Sequence, residues 1–269
     1  ALSILSVSLQ VGLSLNGFIM RFYFYRAQQR ASNSLMVYLK NLTAADFLLC
    51  LCLPLRITHY GSTSFIIQRL YCSFGASAFF LNMYTSIIFM YLKIVHPSGT
   101  HILQTVRAAH IISMVTWVCF LTPTIAFIIL CFITQKPLGH CSCLFSAVVS
   151  QLHKIIHTVA AIIFLLVFIS LVFFYYSTSR RVFLAQQRQL TSSGSEKLVK
   201  SRRNMLVLVS IFCVCFVPVH LVQLPFAFLR SSCSVGQVFY YLKEVTTMVS
   251  VVNVCLDPLV YFFLCKTFR

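Results

Sequence analysis

The stretch NLTAADFLL, residues 41–49, sets a carboxylate, Asp46, in the middle of an apolar run that extends from 35 to 57. A charged side chain inside such a run is costly and usually faces an interior, water-filled cavity of a membrane protein. Outward from it, further apolar runs lie at 2–25, 74–95, 109–131, 155–176, 205–229 and 238–264. Each has about twenty residues, enough to cross a ~30 Å hydrocarbon core. Charged residues make up 9% of the 269 positions and hydrophobic residues 59%, whereas a soluble domain carries about a quarter charged residues. The fold expected is therefore all-α: one bundle of seven transmembrane helices over residues 1–269. The connections are short, and only the Ser/Gln/Arg-rich stretch 177–204 reads as a flexible linker. The chain opens almost inside its first span, so both terminal tails are expected to be truncated.

The net charge of +17 could suggest a nucleic-acid partner, but its distribution argues against one. With the N-terminus outside, fourteen Lys and Arg side chains fall at the cytoplasmic ends and six outside, with Arg21 inside the first span. That asymmetry fits the positive-inside rule and a surface for anionic lipid headgroups. Twelve cysteines include three Cys-x-Cys pairs. A metal site there is disfavoured for the two pairs within helices, since i and i+2 point to different faces. Cys72 and Cys141 both lie on the outer, oxidising side, where a disulfide is expected.

The chain has four acidic residues, Asp46, Glu196, Glu244 and Asp257. Asp46 and Asp257 lie at similar depth. With Ser86 and Asn253, and with Asn16 and Asn41 as further neighbours, they could supply hard oxygen ligands to a sodium ion. A protonated, hydrogen-bonded aspartate without an ion is the alternative for Asp46. The sequon at Asn41 lies within a span and is dismissed as a glycosylation site. At the outer ends, His220 and Gln223 share one helix face, as do His153 and His157; Lys243 and Glu244 begin the seventh span. Together with Phe80, Tyr84 and Phe226 they outline a pocket for an anionic head on an apolar or aromatic body. Prolines 54, 123, 218 and 258 fall inside spans and kink them, which suggests a switch rather than a rigid pore.

These residues resemble the rhodopsin-like (class A) G-protein-coupled receptors over nearly the whole chain. The motifs are LNG with Asn16, NLTAAD with Asp46, Trp117 and Pro123, CFVP with Pro218, and NVCLDPLVY from Asn253 to Tyr261. Within that class the chain is most similar to the purinergic branch, through YLKNLTAADF, LNMYTSIIF, FVPVHLVQLPF and YYLKEVT. The resemblance implies switch roles for Phe216, Pro218, Tyr175 and Tyr261, and coupling to a heterotrimeric G protein of the inhibitory class. It implies no cofactor. The branch has His-x-x-Arg where this chain has His220-Leu-Val-Gln223. An amide cannot supply the cationic fork of an arginine. Platelet-activating-factor receptors share a comparable His-x-x-Gln-Leu-Pro stretch, so a phospholipid ligand competes with a nucleotide.

One departure bears on signalling. Relatives carry about seven residues of the type Gly-Leu-Ile-Ser-x-Asp-Arg, nearly two turns of helix, where this chain joins Met90 directly to Tyr91. No Asp or Glu lies between Asp46 and Glu196. The third helix is thus expected to be shortened by about two turns while its faces stay almost in phase. The leading reading is a purinergic-type receptor for a small extracellular anionic ligand, at the plasma membrane, with impaired G-protein activation. Its rival is a non-signalling, receptor-like protein: a decoy, a heteromer partner or a defective product retained in the endoplasmic reticulum. An enzyme is disfavoured for want of paired carboxylates, a metal triad or an activated nucleophile, and a transporter for want of repeats.

Overall fold

The computed structural model describes residues 2–27, 34–62, 64–95, 105–134, 147–187, 192–229 and 233–264. They form seven helical rods. The first and second are α1 (Leu2–Ala27) and α2 (Ser34–Gly61). The third is α3 (Phe65–Leu70), a π turn (Tyr71–Gly75) and α4 (Ala76–Val95) in unbroken succession. The fourth, fifth and sixth are α5 (Val106–Thr134), α6 (Ala147–Gln187) and α7 (Ser192–Leu229). The seventh is α8 (Cys233–Val251) with α9 (Asn253–Leu264). Inside a bilayer every backbone polar group must find a partner within the protein, and a helix does this along its own length. Threonine hydroxyls follow the same rule: Thr43, Thr85, Thr116 and Thr124 each bond the carbonyl four residues back, at 2.6–2.9 Å.

The third rod is the axis of the bundle. It touches the second, fourth, fifth and sixth rods, and α1 closes the ring against α9. Of the apolar stretch of the third rod 67% is buried, against 28% for the first, fourth and fifth. The outer surfaces carry large apolar side chains such as Met114, Ile133, Leu166 and Leu221, as a lipid-facing surface requires. The core runs through Leu49, Leu53, Met83, Ile87, Met90, Phe164, Phe212 and Phe216.

Two local devices position the site. Pro258 has no N–H to give to the carbonyl of Val254, one helical turn earlier. Asn16 Nδ2 donates to that carbonyl at 2.9 Å and to the Gly12 carbonyl at 2.9 Å. The first rod thus satisfies the group that the proline leaves bare. Gly12 lets the rods meet there: a Cβ on it would lie 2.7 Å from Val254 Cγ1 and 2.9 Å from Cys50 Sγ.

Two boundaries differ from the sequence reading. The stretch 177–204 is helical on both sides of residues 188–191, because Gln, Arg, Lys and Leu are good helix formers and polarity alone breaks no helix. The third rod begins at Phe65, nine residues before the apolar run that marked it. It therefore spans a membrane with Met90 and Tyr91 adjacent inside α4.

Candidate functional site

Three polar layers stack along the axis. In the outermost, the fifth, sixth and third rods bring their expected residues together. His153 Nε2 and His157 Nε2 lie 2.9 Å apart on one face of α6. The Gln223 amide lies 3.3–3.4 Å from the His157 ring nitrogens, and Phe80 meets the same ring edge-on at 5.2 Å. His220 is committed within the bundle. Its Nδ1 faces the Phe216 carbonyl at 2.7 Å and must donate there, so in the neutral ring Nε2 accepts from the Tyr84 hydroxyl at 2.8 Å. Phe164 stacks on its face at 3.8 Å. That histidine ties the third, fifth and sixth rods together.

Lys243 and Glu244, adjacent in α8, go different ways. Lys243 Nζ sits 5.0 Å over the Phe226 ring, a cation–π distance, within electrostatic reach of His157. Glu244 turns to the second rod, where its Oε2 pairs with Arg56 at 2.9 Å and accepts from the Tyr60 hydroxyl. The Arg56 guanidinium is buried near the rings of Tyr71 and Phe79, 5.8 and 5.6 Å from their centroids. His59 stacks on Tyr71 at 4.0 Å.

Sequence reasoning missed Arg56, Tyr60 and Tyr71. It counts Arg56 as an outer-side charge at the last turn of the 35–57 run, whereas α2 continues to Gly61 and keeps the side chain buried. The available signal was an arginine in LPLRITHY with no helix breaker for several residues after it.

The middle layer surrounds Asp46, which is fully buried. Asn82 Nδ2 donates to its Oδ1 at 3.1 Å, a partner that the apolar setting of LNMYTSIIF hid. Asn253 Nδ2 donates to Asp257 Oδ2 at 2.7 Å. Asp46 Oδ2, Ser86 Oγ and Asn253 Oδ1 are buried and find no hydrogen-bond partner among the described residues. The Ser86 hydroxyl stands close enough to the Asp46 carboxylate to act on it as a donor, without forming a hydrogen bond of regular geometry. This donor set, hard oxygens with two carboxylates, fits a small cation such as sodium. Asn41 does not belong to it. Its Oδ1 accepts from Trp117 Nε1 at 2.8 Å, joining the second rod to the fourth.

The innermost layer is sparse. Tyr91, the residue after the junction, shares a 2.8 Å hydrogen bond with Ser170 of α6. Of the residues with expected switch roles, Phe216 and Pro218 lie within about one turn of His220 in α7, Phe216 buried and edge-on to Phe212 at 5.3 Å, and Tyr175 packs against the core. The side chains of Tyr261, Lys93 and Glu196 lie outside the described residues, as does Cys141. Cys72 is buried at the head of the third rod and is not among the free thiols.

A seven-rod bundle with a polar mouth outside and a buried acid at its centre is the architecture of a membrane receptor. The family described as "7 transmembrane receptor (rhodopsin family)" matches residues 16–261, and the chain belongs to it. It is 34% identical over 272 residues to purinoceptor 14 of Bos taurus, covering 96% of this chain and 80% of that one. G-protein coupled receptor 87 of Mus musculus is 32% identical over 268 residues, with coverages of 94% and 74%. Probable G-protein coupled receptor 34 of Mus musculus is 28% identical over 279 residues, with coverages of 98% and 73%. The chain is thus a multi-pass receptor of the plasma membrane, near the purinergic subgroup.

Proposed function

We propose that this receptor binds a small extracellular anion of the nucleotide type and activates its G protein poorly. One observation carries the ligand reading. Among all four acids of the chain only Glu244 lies at the outer end, and it is paired with Arg56. Lys243, Lys154 and Arg69 then leave the outer face with a surplus of positive charge, and an anion is its complement. Phe80, half-buried and backed by the buried Tyr84 ring at 4.5 Å, offers an aromatic surface for a base or other aromatic body.

A nucleoside diphosphate and its uncharged nucleoside test this directly. Lys243→Ala should weaken the diphosphate about tenfold or more, as expected for a hydrogen bond to a charged group, and leave the nucleoside nearly unaffected. Equal losses would mean that Lys243 serves the fold.

The coupling reading rests on the junction. Met90 is buried in the core and Tyr91 follows it in one unbroken helix. The alignments to two relatives run over 272 and 279 residues, more than the 269 of this chain, so it carries gaps against both. The Asp-Arg pair that the resemblance expects after Met90 is absent from the sequence. Coupling, where it survives, would be to the inhibitory class. The non-signalling alternatives stand on the same gap; surface labelling of intact cells separates a retained product from an exposed receptor. A sodium ion held by Asp46, Ser86, Asn253 and Asp257 would offset their buried charge.

A phospholipid ligand is the second reading, and a groove favours it. A space of about 400 Å³ between the first and seventh rods is lined by Ile4, Tyr241, Val245 and Met248, with Tyr60 and Glu244 in its wall. Tyr241 and Val245 are more than half exposed on the lipid-facing side, where an acyl chain could enter. Saturable binding of a lysophospholipid, reduced by Val245→Trp while nucleotide binding persists, would favour this reading.

A further inference from the structure

We propose that His153 and His157 form a transition-metal site on the outer half of the fifth rod, oriented by Gln223. The claim is independent of the identity of the receptor's ligand.

The two histidines stand four residues apart, on one face of α6. Their rings meet at 4.1 Å with Nε2 facing Nε2 at 2.9 Å. Two imidazole nitrogens at that distance share one proton, so one ring donates and the other offers its lone pair. A late transition metal replaces that proton. Zn–N bonds of about 2.0–2.1 Å in a tetrahedral arrangement need the nitrogens about 3.3 Å apart, a few tenths of an ångström wider than they stand. The ring that donated moves its proton from Nε2 to Nδ1, so the exchange releases none.

That shift gives Gln223 its part. Its Oε1 is buried and has no hydrogen-bond partner among the described residues, while its Nε2 lies over the His157 ring, 3.4 Å from Nδ1 and 3.3 Å from Nε2. A half-turn of the amide exchanges the two ends at no cost in shape. Oε1 then accepts the proton that His157 carries on Nδ1 once Nε2 binds metal. Metal-bound histidines regularly donate their second nitrogen to a carbonyl in this way, which fixes the ring and its tautomer. The rotation, with a shift of the amide from over the ring toward Nδ1, gives the orphaned oxygen a donor and orients the ligand.

The composition of the surroundings sets the selectivity. No group of three His, Cys, Asp or Glu side chains able to hold a metal occurs among the described residues. The site is thus a two-nitrogen site whose remaining positions take water or an anion. Lys243, within electrostatic reach of His157, opposes the charge of the metal and favours an anion in those positions. Imidazole nitrogens suit Zn²⁺, Ni²⁺ and Cu²⁺, whereas Ca²⁺ and Mg²⁺ require several oxygen ligands. The site should discriminate sharply between the two groups.

The test uses the full chain purified in detergent, with the metals alone as probes. Zn²⁺ should raise the unfolding temperature saturably, as any ligand of the native state does, and Ca²⁺ and Mg²⁺ at the same concentrations should not. Bound Cu²⁺ should show an electron paramagnetic resonance pattern from two nitrogens, a reading that needs no variant. His153→Phe and His157→Gln should each raise the half-saturating Zn²⁺ concentration at least tenfold. Gln223→Leu should raise it about tenfold to a hundredfold, the usual effect of removing an orienting partner. Zn²⁺ stabilisation that persists in the double histidine variant, a Cu²⁺ spectrum with sulfur or fewer than two nitrogens, or no saturable binding would overturn the proposal.

Discussion

The two ends of the third rod are held by different chemistry. At the outer end a buried guanidinium, within cation–π reach of Tyr71 and Phe79 of the third rod, is paired with Glu244 of the seventh, and Tyr84 bonds the His220 imidazole of the sixth. At the inner end the contact visible after Met90 is a neutral one, Tyr91 hydroxyl to Ser170 hydroxyl. A buried ion pair is strong only as a pair, whereas a hydroxyl pair contributes about 0.5–1.5 kcal/mol net. The outer end is thus fixed in one geometry. The inner end keeps its packing but has a weak polar tie to the fifth rod.

The largest effect should come from breaking the outer pair on one side. Arg56→Ala leaves Glu244 buried without its cation and should cost about 3–5 kcal/mol of stability. Unfolding of the solubilised chain, followed by tryptophan fluorescence or a thiol-reactive dye, reads this. The double variant Arg56→Met with Glu244→Leu should recover most of the loss, because it removes the pair rather than orphaning one half. Additive losses would show that the two groups are not coupled.

Between the ends, Asn16→Ala strips the donor from the Val254 carbonyl beside Pro258. A buried acceptor left bare should cost about 1–3 kcal/mol. Gly12→Ala pushes a methyl against Val254 and Cys50 and should cost a similar ~1–3 kcal/mol through overpacking. Thermal unfolding of each should show both losses, and Asn16→Ala should also loosen the seventh rod in hydrogen exchange. The smallest effect belongs to the inner end: Tyr91→Phe should lower stability by about 1 kcal/mol. Ser170→Ala should add nothing further in the Tyr91→Phe background. A larger loss at Tyr91 than at Arg56 would invert the comparison.

How much of this was legible in the sequence differs by layer. The seven spans were, because apolar runs of membrane length have few other readings. Asp46, Asn253 and Asp257 were as well, since polar groups are scarce enough in a span to be conspicuous. Asn82 was not: a neutral amide in an apolar third rod gives no hint of which neighbour it faces. Arg56 was hidden for another reason. A charge in the last turn of a run looks like a solvated end until the helix is seen to continue past it and bury the side chain. The pairing of Glu244 with the second rod rather than with its neighbour Lys243 depends on how two rods far apart in sequence face each other. No local pattern encodes that. The helical ends of the fifth and sixth rods were obscured by their polarity, which marks exposure and says little about backbone conformation.

The most direct test of the central claim is nucleotide exchange on a purified inhibitory-class G protein. It compares the chain as written with a form carrying Gly-Leu-Ile-Ser-Ile-Asp-Arg after Met90, each in lipid nanodiscs with and without added nucleoside diphosphate. The account predicts exchange near the rate of the G protein alone for the first and a clear rise for the second. Robust, ligand-stimulated exchange by the unaltered chain, equal to that of the extended one, would contradict it.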